Sequence, residues 1–236
     1  MNTQRFIGAN WKMNPPPHGF DAPDSPFRST TKATVAVFPS FLDIPGCTNA
    51  GLMTGGQFGR AEECGAFTGD VSMSQLKRAR CAYVLCGHSE RRIHHEESDT
   101  CVAGQVVSAV EIGLNAVLCI GENFDERELG SAQDVLKRQI LAVLEQAKNV
   151  SAENFIVAYE PVWAIGTGKT PTPKDVDEIH AYIRSLLPSP AVRIIYGGSV
   201  TGKNAASFFA LPNVNGALVG GASLKSADFA AIVAAA

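Results

Sequence analysis

Val117-Leu118-Cys119-Ile120-Gly121 is the stretch on which the fold turns. Four apolar residues run without alternation and stop at a glycine. A strand with one wet face alternates polar and apolar side chains, so an unbroken apolar run fits a strand covered on both faces, as in a parallel sheet. Ile194-Ile195-Tyr196, ahead of Gly197-Gly198, repeats the pattern. Outward from these two, eight runs of this kind can be marked: Phe6 to Asn10, Thr34 to Phe38, Leu52 to Gln57, Tyr83 to Gly87, Ala116 to Gly121, Phe155 to Glu160, Val192 to Gly197 and Ala217 to Gly220.

Parallel neighbours need crossover connections, usually helices. Val102, Val106, Val107 and Val110 share one helical face, as do Leu136, Ile140 and Leu144, and again Val176, Ile179, Ile183 and Leu186. Thr172 before Pro173, with Asp175 three residues on, reads as an N-cap. Strand and helix alternate from end to end with no linker or shift of composition. The prediction is an α/β chain, a single (β/α)8 barrel domain of eight parallel strands over residues 1–236. An open doubly wound sheet is the runner-up.

An apolar fraction of 45% supports a substantial core, and a net charge of -3 argues against a broad nucleic-acid or membrane surface. Any anionic ligand must therefore be met locally. The N-terminus lacks the apolar core of a signal peptide and no apolar run approaches a membrane span, which predicts a cytoplasmic protein. The six cysteines (Cys47, Cys64, Cys81, Cys86, Cys101 and Cys119) contain no C-x-x-C pair, so reduced thiols serving as small buried side chains are expected.

A barrel collects its chemistry just after the C-terminal ends of the strands, with anion sites favoured after the last two. Asn10 and Lys12 follow the first run, His88 the fourth, Glu160 the sixth, Gly197-Gly198-Ser199 the seventh and Gly220-Gly221 the eighth. All would stand on one rim. A carboxylate in apolar surroundings is a stronger base, a histidine at a helix start tends to stay neutral, and paired glycines let backbone N–H groups approach a phosphate. Taken singly, each has a plainer reading as a solvated strand end, a structural histidine, a surface lysine or a bare turn.

Two other motifs fail on spacing. Gly168-Lys169-Thr170 would end a P-loop only with glycine at 163, where Trp163 stands, and a dinucleotide fingerprint starting at Gly166 would put its third glycine on Pro171. What remains of Pro161 to Lys169 reads as a short lid. His94-His95-Glu96-Glu97 lacks the second histidine of a zinc helix, since position 99 is Asp99, so no metal is expected.

At Asn10-Trp-Lys-Met-Asn14, Gly65-Ala-Phe-Thr-Gly69, Gly87-His-Ser-Glu-Arg-Arg92, Tyr159-Glu-Pro-Val-Trp-Ala-Ile-Gly-Thr-Gly168, Tyr196-Gly-Gly-Ser199 and Gly216-Ala-Leu-Val-Gly-Gly-Ala222 the chain resembles the triosephosphate isomerase family. The motifs lie in the family's order. The resemblance implies a TIM barrel and the interconversion of dihydroxyacetone phosphate and glyceraldehyde 3-phosphate, a step of glycolysis and gluconeogenesis, without cofactor. It implies Glu160 as base, His88 as neutral electrophile, and Lys12 with Asn10 as partners of the enediolate; these are the family's familiar assignments rather than deductions from spacing. Gly166, Ser199, Gly220 and Gly221 would bind phosphate, and Glu90, Glu97 and Cys119 would support the site. A homodimer through the Gly65–Gly69 loop is implied too, with an ion pair from Asp70 to Arg91 of the other subunit in question. The main rival is a catalytically impaired barrel that binds a phosphate ligand.

Some positions depart from the family. Five prolines between Asn14 and Pro26 remove donors where the first helix should be, so that helix is expected to be shortened or absent. The crossover Phe41 to Ala50 and the connection after Leu187 look trimmed. Asp70 stands in place of the usual Glu, and Phe58 in place of the usual Asn.

Overall fold

The computed structural model describes residues 4–164 and 171–236. Eight parallel strands form its centre: β1 (Arg5–Asn10), β2 (Ala33–Phe38), β3 (Gly55–Gly56), β4 (Tyr83–Cys86), β5 (Asn115–Ile120), β6 (Phe155–Tyr159), β7 (Arg193–Tyr196) and β8 (Gly216–Val219). They pair in the order β2-β1-β8-β7-β6-β5-β4-β3. The two ends meet at one bridge, Val37 to Thr54, supported by Val37 N–H donating to Met53 O at 2.9 Å. The barrel is thus nearly closed, and its seam is the β2–β3 junction.

The seam has a local cause. The run Leu52 to Gln57 yields only a two-residue strand because Gly55 and Gly56 bring no side chains to the sheet. They cannot, since a Cβ on Gly55 would lie 2.4 Å from the Phe38 ring and one on Gly56 2.6 Å from Leu76.

The unbroken apolar strands are explained by two cores. Phe6, Phe38, Tyr83, Leu85, Val117, Cys119, Ile156, Ile195 and Leu218 fill the barrel interior. Their neighbours in sequence, such as Ala116, Leu118, Ile120, Val157 and Ile194, point outward into a second layer closed by helices. Apart from the partly exposed Arg5, Thr34, Asn115 and Arg193, the strand positions are therefore buried.

The helices are α1 (Ile44–Asn49), α2 (Met73–Arg78), α3 (Ser89–His94), α4 (Asp99–Glu111), α5 (Phe124–Glu128), α6 (Ala132–Gln146), α7 (Pro173–Leu186), α8 (Ala205–Phe209) and α9 (Ser226–Ala234). α7 opens with the expected capping box: Thr172 Oγ1 accepts from Asp175 N–H at 3.2 Å and Asp175 accepts from Thr172 N–H at 2.9 Å. Its buried face carries Val176 and Ile183, and also His180, which the apolar spacing did not reveal. α1 has only six residues, in line with a trimmed crossover.

Between β1 and β2 no helix forms. The proline-rich segment instead folds through turns, with Phe20 N–H donating to Pro17 O and Arg28 N–H to Ser25 O. The Arg28 guanidinium gathers the carbonyls of Asp21 (2.8 Å), Ala22 (2.9 Å) and Ala50 (3.1 Å). Phe27 supplies the apolar contact a helix would have made, stacking on Phe229 at 4.8 Å and meeting Trp11 edge-on at 5.2 Å.

The thiols divide. Cys47, Cys81, Cys86 and Cys119 are buried as expected, whereas Cys64 and Cys101 are exposed on the surface. Cys64 lies in the Gly65–Gly69 loop region and Cys101 in the first turn of α4, and neither position faces a core. Among the described residues no helix is long and apolar enough to cross a membrane.

Candidate active site

β1 ends at Asn10, whose Oδ1 accepts from Lys12 N–H at 3.0 Å and so turns the chain at the rim. Lys12 adopts φ 53, in the left-handed region that side chains rarely enter. The strained backbone is held by neighbours. Trp11 N–H donates to Phe38 O at 3.1 Å, and Gln57 Nε2 donates to both Lys12 O (2.7 Å) and Phe38 O (2.9 Å). Gln57 is the residue that sequence reading used only as a landmark. Its signal, a lone amide after two glycines, was too weak to separate from a turn.

The Lys12 ammonium hydrogen-bonds the Glu90 carboxylate. Partial burial pushes the Glu90 carboxyl up, but the Lys12 hydrogen bond and the charges of His88, Lys12 and His94 outweigh it and hold the group below its ordinary range. Glu90 is therefore an anion that aims Lys12 into the mouth of the barrel.

β4 ends at Cys86 and α3 begins at Ser89, with His88 as the N-cap. His88 Nδ1 accepts from Glu90 N–H at 3.3 Å, which leaves Nε2 to carry the proton of a neutral ring. That Nε2 lies 3.0 Å from Glu160 Oε1, while Glu160 Oε2 accepts from Ser89 N–H at 2.8 Å. The start of α3 thus holds both the imidazole and the carboxylate.

Glu160 follows β6 directly and is 2% exposed. Two glycines make its place. A Cβ on Gly121 would lie 1.7 Å from Glu160 O, and one on Gly197 2.9 Å from Glu160 Cγ. Beneath it Cys119 points into the barrel, where burial first and the Glu160 charge second push its thiol well up, so it stays neutral.

Asn10, Lys12, His88, Glu90 and Glu160 line one cavity of about 590 Å³ with Gly197, Gly198, Ser199, Gly220 and Gly221. Gly221 begins a short 3-10 turn, Gly221–Leu224, and a Cβ there would meet nothing within 4 Å, so its backbone is open to a ligand. The sequence-predicted site residues are brought together with three exceptions, the first being Cys119, which lies beneath Glu160 in the barrel interior. Glu97 lies behind the site, accepting from Arg91 Nε at 2.6 Å, and does not line the cavity. Gly166, with the rest of 165–170 and most of the expected lid, lies outside the described residues.

One buried cluster was missed altogether. Glu122, with no exposure, accepts from Trp163 Nε1 (2.8 Å), Tyr159 OH (3.0 Å) and Arg127 (3.3 Å), and the Arg127 guanidinium lies 4.4 Å from the Trp163 ring centre. Burial pushes its carboxyl up, and these donors only partly offset that. The cluster anchors the residues just after Glu160 from outside the sheet. Nothing local links Glu122 to Trp163, because their meeting depends on adjacent strands.

Fold and rim place the chain among the (β/α)8-barrel proteins that carry their polar residues at the C-terminal mouth. Within that class, the family model described as triosephosphate isomerase matches residues 5–236, and the chain belongs to the triosephosphate isomerase family. It is 42% identical to the triosephosphate isomerase of Xanthobacter flavus, over 98% of this chain and 96% of that one. It is 44% identical to the one of a Bradyrhizobium strain, over 96% of each. The one of Coxiella burnetii is 38% identical over 97% of this chain and 96% of its own.

Proposed function

We propose that the chain, working as one barrel domain, interconverts dihydroxyacetone phosphate and D-glyceraldehyde 3-phosphate. The observation that carries this reading is the Glu160–His88 contact of 3.0 Å at the cavity mouth, with Lys12 in the same cavity. A base, a neutral donor and a cation around one small polar cavity suit proton transfer between adjacent carbons bearing oxygen.

In this mechanism Glu160 leaves Ser89 N–H and takes a proton from the carbon beside the carbonyl. The electron pair moves onto the carbonyl oxygen and makes an enediolate. His88 Nε2–H gives its proton to that oxygen and takes the proton of the neighbouring hydroxyl in return, so the carbonyl can re-form on the other carbon, while Lys12 and Asn10 stabilise the negative charge. The same Glu160 then returns the proton to the neighbouring carbon, so no electrons leave the substrate and no cofactor is consumed. Ser199, Gly220 and Gly221 would hold the phosphate. Glu90 and Cys119 would support Lys12 and Glu160, and Glu97 would act from behind through Arg91.

The working unit is taken to be a homodimer joined through the Gly65–Gly69 loop, in the cytoplasm, where free thiols persist. A coupled assay with glyceraldehyde 3-phosphate at graded enzyme concentrations tests the reading. Isomerase activity lost in Glu160→Gln is the expected result. Tight phosphoglycolate binding without turnover would favour the impaired, phosphate-binding barrel.

A further inference from the structure

Residues Glu62 to Asp70 are exposed without interruption, forming an arm that leaves the barrel after β3 and returns before α2. Most such loops lean on the body of the protein. This one is braced by Arg60. Its backbone closes the base of the arm, accepting from Met73 N–H (3.1 Å) and donating to Val71 O (2.8 Å). Its side chain then runs up the inside: the guanidinium hydrogen-bonds Asp70 at 2.8 Å and Glu62 at 3.3 Å and lies 3.6 Å from the centre of the Phe67 ring. At the foot, Ser108 and Ser74 add hydrogen bonds to Ala61 O (3.0 Å) and Glu63 O (3.4 Å).

The cross-subunit pair that family resemblance brings into question is spent inside one chain. Asp70 is taken by Arg60. Arg91 is taken by Glu97 at 2.6 Å and lies 3.7 Å from the ring centre of Phe58, the residue that replaces the usual Asn. Both members are thus engaged before any partner arrives.

We infer that Arg60 is a positioning residue for self-association: it folds the arm in the free subunit into the shape that enters a second copy of this chain. This rests on the homodimer proposed above. The receiving groove, of about 270 Å³, is lined by Met13, Gln57, Arg91, His94 and His95 and reaches Asn10, Lys12, His88 and Glu90 of the active site. The apolar groups match: the arm carries Phe67, and the groove carries Met13, which is 96% exposed. With Glu62, Asp70 and Arg91 already paired, Glu63 on the arm and His94 and His95 in the groove are the polar groups left to meet. Ordering a loop opposes association, and a loop already ordered lowers that cost. A planar guanidinium bridging two carboxylates and covering an aromatic face is suited to the task as a lysine is not.

The test is chymotryptic cleavage after Phe67, read with sedimentation velocity, for the wild type, Arg60→Met and Arg60→Lys. Arg60→Met should be cut about tenfold faster at every concentration and should dissociate at about tenfold higher concentration, with turnover per assembled dimer unchanged. Arg60→Lys should fall between, since it keeps the charge and loses the stack. Cleavage of Arg60→Met at the wild-type rate overturns the brace. So does a cycle in which Asp70→Asn and Arg91→Met couple in dimer dissociation more strongly than Asp70→Asn and Arg60→Met couple in cleavage. A wild type that stays monomeric and fully active defeats the dimer reading instead, and the cleavage comparison still judges Arg60.

Discussion

The crossovers that follow β1 and β6 begin at the same rim and are built on opposite principles. After β6 comes α7, with a capping box at Thr172 and a buried face of Val176, His180 and Ile183. After β1 comes no helix, only turns, stacked aromatic rings and Arg28 tied to three carbonyls. Yet Asn10 and Lys12 line the same cavity as Glu160. The reason is that the Lys12 loop is held sideways, by Phe38 O and Gln57, and not from the crossover behind it. A barrel rim is fixed by neighbouring strand ends, which frees the crossover beneath to change.

The sharpest way to separate rim from crossover is Glu160→Gln. It keeps the shape and removes the base, so the rate should fall by about 10²- to 10⁴-fold while the melting temperature changes little. A variant within tenfold of wild type in a steady-state assay would remove Glu160 from that role.

The two crossovers should also differ in acid. His180 in α7 is fully buried, and burial pulls its pKa down to about 4 despite the Asn213 carbonyl 3.1 Å from Nδ1. The unfolded chain takes up this proton near pH 6.5, and the folded chain only near 4. Stability from the buried neutral ring is therefore complete above pH 6.5 and is lost as pH falls towards 4, by about 3 kcal/mol at most. Denaturant titrations of wild type and His180→Gln should converge or cross over that window. Parallel curves would show that His180 is not responsible.

Gln57→Ala tests the sideways hold directly. Losing the donor to two partly buried carbonyls costs about 1–2 kcal/mol, and because one of them belongs to Lys12 the loss should appear as roughly tenfold lower kcat/KM as well as lower stability. Arg28→Met is the matching change in the crossover. It should cost about 1–2 kcal/mol of stability in thermal melts and leave kcat within twofold, since Arg28 touches no rim residue. If Arg28→Met lowered kcat as much as Gln57→Ala, the rim would depend on the crossover after all.

Much of this molecule was legible in its residues because the relevant signals are local. Unbroken apolar runs report burial on both faces, and Thr172 with Asp175 reports a helix start within four residues. Five prolines exclude a helix whatever surrounds them. The rim residues could be placed by their position after a strand, without knowing what they touch. β3 was overestimated because apolarity outweighed Gly55-Gly56, whose meaning lies in Phe38 and Leu76. Glu122 and Gln57 went unread because their partners are Trp163 and Lys12, far along the chain.

The sequence by itself determined the alternation of strand and helix, the missing first helix and the set of side chains on one rim. These follow from periodicity and backbone chemistry, which act over a few residues. Only the tertiary structure decided that the barrel meets at Val37 and Thr54, that Glu160 rests on Ser89 and His88, and that Asp70 pairs with Arg60 of its own chain. Such pairings are chosen by which strand ends and loops the closed barrel brings within reach. A carboxylate or guanidinium has several partners of suitable chemistry along the chain, and distance in the folded molecule selects among them.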